Sequence, residues 1–199
     1  MTMAECRSIA GALFPCMEPG LKNIFESEKL LAHAFKALFD FVVSMDATGA
    51  KDEEAPAFSY ILTPKQVDEI DRVCDANQWQ KITTHGIEIG VSAIQHVLKA
   101  RRLKDEITDA EILEVIAKAY SPRSLLRQNR DHGQQSLIFN THQTVKVGNT
   151  AFHGLAVLEL KTEVIGIGAN AKVRTYLAPV TCYHANEAKI RAIQRNRPK

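Results

Sequence analysis

The chain has 199 residues, enough for one large domain or two small ones with a buried core. Its 45% hydrophobic and 24% charged residues are typical of a soluble globular protein, so intrinsic disorder is not expected. The net charge of +2 is unevenly distributed: residues 1–100 carry 9 Lys+Arg against 14 Asp+Glu, or −5, whereas residues 101–199 carry 16 against 9, or +7. A polyanion is therefore expected to meet the C-terminal half.

The cysteines and the apolar segments argue against several classes of protein. Cys6, Cys16, Cys74 and Cys182 are scattered without CxxC pairing or zinc-type spacing, so reduced buried thiols are expected rather than disulfides or a structural metal. The segment IAGALFPCM lacks a basic n-region and is interrupted by a proline, and no segment approaches the ~18 apolar residues of a membrane span. We expect a cytoplasmic protein without a membrane partner, and delivery to a target cell by a leaderless route stays open.

Residues 1–80 are predicted to form a helical N-terminal region. SEKLLAHAFKALFDFVVSM (27–45) repeats apolar residues at three- and four-residue spacings, which is typical of a long amphipathic helix. DATGAKDEEAPAF (46–58) is acidic and contains a glycine and a proline, which predicts a loop. TPKQVDEIDRVCDANQW (63–79) opens with the Thr, Pro and Gln of a capping box and predicts a helix whose acidic residues face solvent.

Residues 85–199 are predicted to form a basic α+β domain. GIEIGVSAIQHVLKARR (86–102) and TDAEILEVIAKAY (108–120) are helix candidates, the second with a Thr and Glu capping box. Short extended runs follow, for which four antiparallel strands are the simplest interpretation: SLIFN, TVKVG, AFHGLAVLELK and AKVRTYLAPVTCY. HANEAKIRAIQRN closes the chain as a basic helix. The predicted fold class is α+β: a helical N-terminal region, then two helices, an antiparallel sheet and a helix.

The sequence lacks the familiar motifs of nucleotide hydrolysis, zinc proteolysis and serine hydrolysis, namely GxxxxGK[ST], GxGxxG, HExxH and GxSxG. The basic half instead offers His, Lys, Arg, Thr and Tyr, which suit cleavage of RNA without a metal or other cofactor. A histidine with a pKa of ~6.5 can take the proton of a ribose 2′-hydroxyl, and a second His, a Lys or a Tyr can protonate the leaving oxygen. Lys or Arg can hold the phosphate.

Four residues are candidates for the catalytic roles. His96 is the candidate general base, although a hydrogen-bonded structural histidine before a solvated helix end explains the same stretch. Thr181 and Tyr183 on the last strand are candidates for positioning the phosphate, although strands favour Thr and Tyr in any case. Lys161, at the end of LAVLELK, either stabilises the phosphate or is a charge at a strand end.

Five basic residues are candidates for binding the substrate. The arginines of SPRSLLRQNRD either converge on a phosphate or coat a turn, and the histidine of NTHQT either contacts RNA or is a plain surface histidine in a hairpin loop. A further arginine lies on one face of the strand AKVRTYLAPVTCY. The candidates are Arg123, Arg127, Arg130, His142 and Arg174.

The order of these elements resembles the phage-associated branch of the barnase, EndoU, colicin and RelE-like nuclease superfamily. The similarity covers about residues 85–195, with a helix ending in IQHVLKARR, the helix ITDAEILEVIAKAYSP, the strands SLIFN, LAVLELK and KVRTYLAPVTCYH, and a terminal NEAKIRAI helix. It implies an RNA-cleaving, toxin-like domain with a cleft between helices and sheet. His96 would match the histidine of the family's helix, and Thr181 with Tyr183 its hydroxyl-bearing final strand. Within the resemblance no counterpart is found for Arg123, Arg127, Lys161 and Arg174.

The expected function is that of a metal-independent endoribonuclease, a toxin-like effector that cleaves RNA such as tRNA by 2′-O transphosphorylation. A cognate inhibitor or immunity protein is expected as a further partner. A non-catalytic nucleic-acid-binding protein is one open alternative, because it would use the same basic surface and release counterions on binding. A phage or effector interaction protein is another, in which the acidic helical half would dock a partner.

Overall fold

The computed structural model describes residues 24–48, 56–131, 135–167 and 171–195, apart from the side chains of residues 24–27, 48 and 141–143. Within these ranges the helices are α1 (Ile24–Thr48), α2 (Pro64–Asn77), α3 (Val91–Asp105), α4 (Asp109–Ala119) and α5 (Glu187–Arg195). The strands are β1 (Ala57–Ile61), β2 (Gly86–Gly90), β3 (Leu125–Gln128), β4 (Ser136–Val147), β5 (Thr150–Ile165) and β6 (Lys172–Ala185). The predicted α+β class is confirmed.

The strands form two antiparallel sheets. β1 pairs with β2, and β3, β4, β5 and β6 form a four-stranded sheet in chain order. The pair Leu155↔Tyr183 marks the register between β5 and β6. Farther along this pair of strands, Val157 of β5 pairs with Thr181 of β6, and the next residue, Leu158, pairs with Pro179. Val180 is therefore the extra residue of a β-bulge.

Helices cover both faces of the larger sheet. On one face α3 and α4 pack against the strands and α1 packs behind these helices, closing a main core that includes Phe35 and Phe139. On the other face α5 places Ile190 and Ile193 on a smaller core around Ile138. Because successive residues of a strand point to opposite faces, the neighbours Ile138 and Phe139 belong to different cores.

Helix α4 approaches strand β5 closely at Gly154. A Cβ atom at this position would lie 2.6 Å from the carbonyl oxygen of Val115 and 3.0 Å from the backbone nitrogen of Ala119. Only a residue without a Cβ atom permits this contact. Gly154 therefore sets how near the helix can lie to the sheet.

The prediction of a helix over residues 86–102 is wrong at its N-terminal end. Its first five residues form β2, in which Ile87 and Ile89 are buried while Glu88 is exposed, and this strand pairs with β1. α3 begins at Val91. The alternation of period two covers so few residues that it merges with the helical pattern that follows it.

The position of strand β1 shows that a second prediction, an all-helical region over residues 1–80, is wrong. The strand lies within this region, and it begins inside segment 46–58, expected to be a loop. The start of that segment belongs to α1, and residues 49–55 lie outside the described part of the chain. The domain boundary expected between residues 80 and 85 falls between two strands that pair with each other.

The four-stranded sheet has the expected number of strands but different members. SLIFN and TVKVG, expected as two strands, are the two ends of β4. The additional strand is β3, whose buried side chain is Leu126. A four-residue edge strand with one buried side chain leaves too short a pattern to be identified from periodicity.

Both predicted capping boxes are confirmed. The Thr63 hydroxyl accepts a hydrogen bond from the backbone N–H of Gln66 at 3.3 Å, and the Gln66 side-chain oxygen accepts one from the Thr63 N–H at 3.0 Å. Thr108 and Glu111 make the same reciprocal pair at the start of α4. These bonds satisfy backbone donors that the first turn of a helix leaves without a partner.

The expectation that the acidic residues of α2 face solvent is wrong for Glu69, which is only 7% exposed. Its carboxylate accepts a hydrogen bond from the backbone N–H of Leu126 at 2.8 Å and lies 3.5 Å from Nη1 of Arg127. The side-chain amide of Gln66 donates to the carbonyl of Ser121 at 3.3 Å. These bonds tie α2 to β3 and to the turn before it.

The loop between α2 and β2 covers part of the outer edge of β6. The backbone N–H of Thr83 donates to the carbonyl of Thr175 at 2.8 Å, and the N–H of Thr175 donates to the Thr83 hydroxyl at 3.0 Å. Thr175 is buried. At this position Thr83 thus takes the place of a residue in a further strand.

Two of the four cysteines lie in the described part of the chain. Cys74 and Cys182 are buried free thiols, as expected, whereas Cys6 and Cys16 lie outside the described residues. No helix of the described ranges is long and apolar enough to cross a membrane. The described residues also bring together no group of three His, Cys, Asp or Glu side chains that could hold a metal ion.

Candidate functional site

Helix α3 lies along the edge strand β6. Residues at four-residue intervals share one side of a helix, and one such stripe of α3 faces the strand. The stripe starts with two apolar side chains that line a narrow gap against β6 and ends with an ion pair beside a histidine. We define the α3–β6 seam by the residues that meet there: Ala93, Val97, Arg101 and Asp105 of α3, and Thr181, Tyr183 and His184 of β6.

An arginine and an aspartate form the polar end of the seam. Arg101 Nη1 donates to Asp105 Oδ2 at 2.7 Å, and both side chains are largely buried. The guanidinium also lies over the ring of Tyr183, 5.7 Å from its centre. His184 Nδ1 lies 3.9 Å from Asp105 Oδ2, just beyond hydrogen-bonding distance.

Buried polar atoms without a hydrogen-bond partner are concentrated at this end of the sheet. Buried polar groups in native proteins almost always have a partner, so each of these atoms is expected to take one from a water molecule or a ligand. Three of the atoms belong to the seam, and the other two lie on the neighbouring strands β4 and β5. Among the described residues they are Arg101 Nε, Asn140 Oδ1, His153 Nδ1, Thr181 Oγ1 and His184 Nδ1.

His96 lies on the same helix as part of the seam but is not one of the seam residues. Its side chain is exposed on α3, three residues after Ala93, which lines the narrow gap together with Thr181. Residues three apart are neighbours on the surface of a helix, so His96 lies next to Ala93, but at ~100° per residue it is turned about 140° around α3 from Arg101. Within the described part of the chain no hydrogen bond or ion pair fixes its orientation.

Thr181 and Tyr183 pair with Val157 and Leu155 of β5 and share the face of β6 that carries the smaller core, against which Tyr183 packs. His184 follows Tyr183 on the strand and so points to the other face. Burial, with a contribution from the charge of Asp131, raises the pKa of the Tyr183 phenol. The phenol therefore stays protonated at neutral pH and can donate a hydrogen bond. The structure brings these two candidates close to the helix that carries His96.

Lys161 lies away from the seam. It is four residues along β5 from Val157, the partner of Thr181, which at ~3.4 Å per residue is about 14 Å. Its ammonium group forms an ion pair with Glu159 on the same face of the strand. The cation in contact with Tyr183 is Arg101 rather than Lys161.

Arg174 lies farther along the same pair of strands and is held by its neighbours. It donates to Glu163 Oε1 at 3.2 Å and to the hydroxyl of Thr84 at 3.3 Å. Its guanidinium also lies 4.8 Å from the centre of the Tyr176 ring. These contacts fix Arg174 at the sheet edge, apart from the seam.

The predicted arginines near β3 lie at the opposite edge of the sheet from the seam. Arg123 forms an ion pair with Glu28 of α1 at 3.2 Å. Arg127 and Arg130 line one groove between α2, β3 and α5, and the described lining of that groove does not include Arg123. The remaining candidate, His142, is in β4, but its side chain lies outside the described part of the structure.

Sequence reasoning does not identify Arg101, Asp105 and His184 as one site. The four-residue spacing of Arg101 and Asp105 is a signal for an ion pair on a helix, and His184 directly follows the Thr and Tyr of the last strand. The strand against which α3 packs is decided by the whole fold, however, and no local pattern reports it. The structure therefore adds these three residues to the candidates.

The seam combines a guanidinium, a hydroxyl, a phenol and the largely buried imidazole of His184, and the same helix carries the exposed imidazole of His96. Groups of these kinds can hold a phosphate and move a proton. The chain has no match among protein-family models, curated proteins or solved structures. The geometry of the seam therefore carries the functional argument.

Proposed function

We propose that the protein is a metal-independent endoribonuclease with a toxin-like effector role, and that its reaction takes place at the α3–β6 seam. The observation that carries this proposal is the set of unpartnered buried atoms of Arg101, Thr181 and His184 in the seam, together with the exposed imidazole of His96 on the same helix, α3. A phosphate can accept hydrogen bonds from a guanidinium and a hydroxyl at once. The charge of +7 in residues 101–199 favours a polyanionic substrate.

In this proposal His96 is the general base. It takes the proton of a ribose 2′-hydroxyl, and the 2′-oxygen attacks the adjacent phosphorus to form a 2′,3′-cyclic phosphate. The bond from phosphorus to the 5′-oxygen breaks, and this leaving oxygen takes a proton from His184 or Tyr183. One proton is thus removed and one returned in each cleavage.

Arg101 and Thr181 hold the phosphate during this step. Arg101 supplies the positive charge that stabilises the developing negative charge on the phosphate oxygens, a role that the sequence suggests for Lys161 or an arginine. Thr181 donates its hydroxyl hydrogen to a phosphate oxygen and so fixes the orientation of the phosphorus. A cognate inhibitor of such a protein would have to cover the seam, and an RNA target such as tRNA would place the reaction in the cytoplasm.

The test incubates the full-length protein with tRNA and ribosomal RNA in EDTA and determines the ends of the fragments. We expect discrete cuts that leave 2′,3′-cyclic phosphate. His96→Ala should slow cleavage by about 10²–10⁴-fold, the usual contribution of a general base, with the thermal midpoint little changed because the side chain is exposed. His33→Ala, at an exposed histidine of α1, is the matched control and should cleave at the normal rate.

Two results would contradict the proposal. If His96→Ala cleaves as fast as the unchanged protein, His96 has no part in the reaction. If the unchanged protein leaves all these RNAs intact in EDTA, the reaction is not metal-independent cleavage of these substrates.

One observation favours a second function, a nucleic-acid-binding protein without catalysis. The described structure contains no partner that orients the imidazole of His96, whereas a general base is commonly held by a neighbouring group. This function predicts RNA binding that weakens steeply with salt, because bound phosphates release counterions, and it predicts no cleavage products. A gel-shift series at increasing salt, followed by analysis of the recovered RNA, separates the two functions.

A further inference from the structure

A groove lies at the edge of the four-stranded sheet opposite the α3–β6 seam. It has a volume of about 280 Å³ and is bounded by α2, the edge strand β3 and the end of α5. Three strand spacings of ~4.8 Å separate β3 from β6, so about 14 Å of sheet lies between the groove and the seam. We call it the arginine groove after three side chains of its lining: Arg72, Arg127 and Arg130.

The lining of the arginine groove carries more positive than negative charge. Among the described lining residues the carboxylate is that of Glu69. It accepts a hydrogen bond from a backbone N–H of β3 at 2.8 Å and forms an ion pair with Arg127 at 3.5 Å. Arg72 donates to a backbone carbonyl of its own helix at 3.1 Å, and Arg130 donates to a glutamine oxygen of β3 at 3.4 Å. Both of these acceptors are uncharged. Two guanidinium groups therefore face the groove without a carboxylate of the lining to balance them.

The volume of the groove and the residues that line it limit the classes of ligand that can bind there. Guanidinium groups bind phosphate oxygens through two parallel hydrogen bonds, so an anion of this geometry suits the arginines. A volume of about 280 Å³ lies just below the ≈ 300–1,000 Å³ of most ligand pockets, which suits a phosphate with one sugar ring. No aromatic ring is among the described lining residues, so stacking of a base is not provided.

The neutral part of the lining can contact a sugar. Val73, Ala76 and Leu126 give it apolar surface, and Gln194 at the end of α5 adds a side-chain amide. Within the described residues this amide makes no hydrogen bond, so its donors and its acceptor are available to hydroxyl groups. The arginines and the amide together match a phosphorylated sugar.

We propose that the arginine groove binds a ribose phosphate unit, with the phosphate on Arg72 and Arg130 and the sugar hydroxyls on Gln194. The same unit occurs in free ribose phosphates, in nucleotides and in the backbone of RNA. The proposal does not depend on RNA cleavage at the α3–β6 seam, because the groove and the seam share no residue.

Calorimetric titration of the full-length protein tests this site. The probes are ribose 5-phosphate, adenosine 5′-monophosphate and a short single-stranded RNA, with inorganic phosphate and ribose as controls. Arg72→Gln and Arg130→Gln each remove an exposed guanidinium and should weaken binding by about tenfold or more, without loss of the fold. Arg191→Gln is the matched control, because Arg191 is an exposed arginine of α5 outside the lining, and it should bind normally.

The pattern of binding identifies the source of the unit. Binding of ribose 5-phosphate or the mononucleotide, weakened in both variants, supports a site for free phosphorylated ligands, and binding of the RNA alone supports a site for its backbone. Inorganic phosphate that binds as tightly as ribose 5-phosphate would overturn the role of the sugar. No binding of any phosphate probe, or binding that Arg72→Gln and Arg130→Gln leave unchanged, would overturn the site.

Discussion

Glu69 is a carboxylate that faces the protein interior and supports the edge strand β3. Its acceptor bond from the Leu126 N–H is 2.8 Å long and buried. Glu69→Ala would leave this backbone donor without an acceptor, and we expect the free energy of unfolding to fall by about 1–3 kcal/mol. Urea denaturation of both proteins measures the difference.

The control for this variant is Asp68→Ala, because Asp68 is the exposed neighbour of Glu69 on α2. Its loss should change the free energy of unfolding by no more than about 0.5 kcal/mol. Equal losses in the two variants would mean that the buried hydrogen bond contributes nothing of its own.

Glu69 also shows why single residues of a site escape sequence analysis. Nothing in its local sequence distinguishes it from the exposed acids of α2, since its partner Leu126 lies 57 positions later in the chain. The same holds for Asp105 and His184, which approach one another only because α3 packs on β6. The sequence shows the type of each of these residues but not the side chains and backbone groups that surround it in the fold.

At the scale of secondary structure elements, the contact of α4 with β5 depends on Gly154. In Gly154→Ala the new methyl group would lie 2.6 Å from the carbonyl oxygen of Val115, so the helix must move away from the strand. We expect a loss of about 1–3 kcal/mol or more, the usual cost of an overpacked core, which thermal unfolding would show as a lower midpoint.

Gly86→Ala is the matched control for this substitution. A Cβ atom at Gly86 would lie 3.7 Å from Ile61 Cδ1, an ordinary van der Waals contact, so the midpoint should change little. If Gly154→Ala unfolds at the same temperature as the unchanged protein, the close approach of α4 to β5 does not limit this packing.

Elements with a local signal were predictable, and elements that depend on a distant partner were not. The capping boxes at Thr63 and Thr108 are built from residues three apart, so the starts of α2 and α4 could be located from the sequence. β1 and β2 pair across the whole of α2, and the short β3 is supported by Glu69. Such long-range support has no signature in a short window of sequence.

At the scale of the whole molecule, the charges of the two halves of the chain partly neutralise each other. Arg123 pairs with Glu28 at 3.2 Å, and Arg102 lies 3.5 Å from Asp46. Each pair joins a cation of the basic half to an acid of the acidic half. The uneven charge of the sequence is therefore in part an internal feature of the fold, and a smaller positive surface remains for a polyanion than the sum suggests.

The whole molecule also buries several weak acids in their neutral form. Burial raises the pKa of the Cys182 thiol from 9.0 to about 12. Burial is also the main cause that raises the pKa values of Cys74, Tyr60, Tyr120 and Tyr183. In the unfolded chain these groups ionise at lower pH than in the folded protein.

These shifts predict that alkaline pH destabilises the fold. Above the unfolded pKa values the unfolded state binds fewer protons than the folded state, so the free energy of unfolding falls as pH rises. The contribution of Cys182 is fully present below pH 9.0 and is lost progressively towards about pH 12, at up to about 1.4 kcal/mol per pH unit. Urea denaturation under reducing conditions between pH 7 and about pH 10.5 measures this slope.

Cys182→Ala tests the assignment of part of that slope to one thiol. The variant is less stable at every pH because it loses a buried side chain, but its free energy of unfolding should fall less steeply above pH 9.0. Parallel curves for the two proteins would show that the Cys182 thiol ionises equally readily in both states.

The covered edge of β6 has a consequence for association between copies of the protein. Thr83 occupies both backbone groups of Thr175 at that edge, and the strand at the other edge, β3, has only four residues. A row of unpaired backbone groups on a long edge strand is a template for aggregation and amyloid-like stacking. The four-stranded sheet offers no such continuous template at these positions, so growth of filaments by strand addition there is disfavoured.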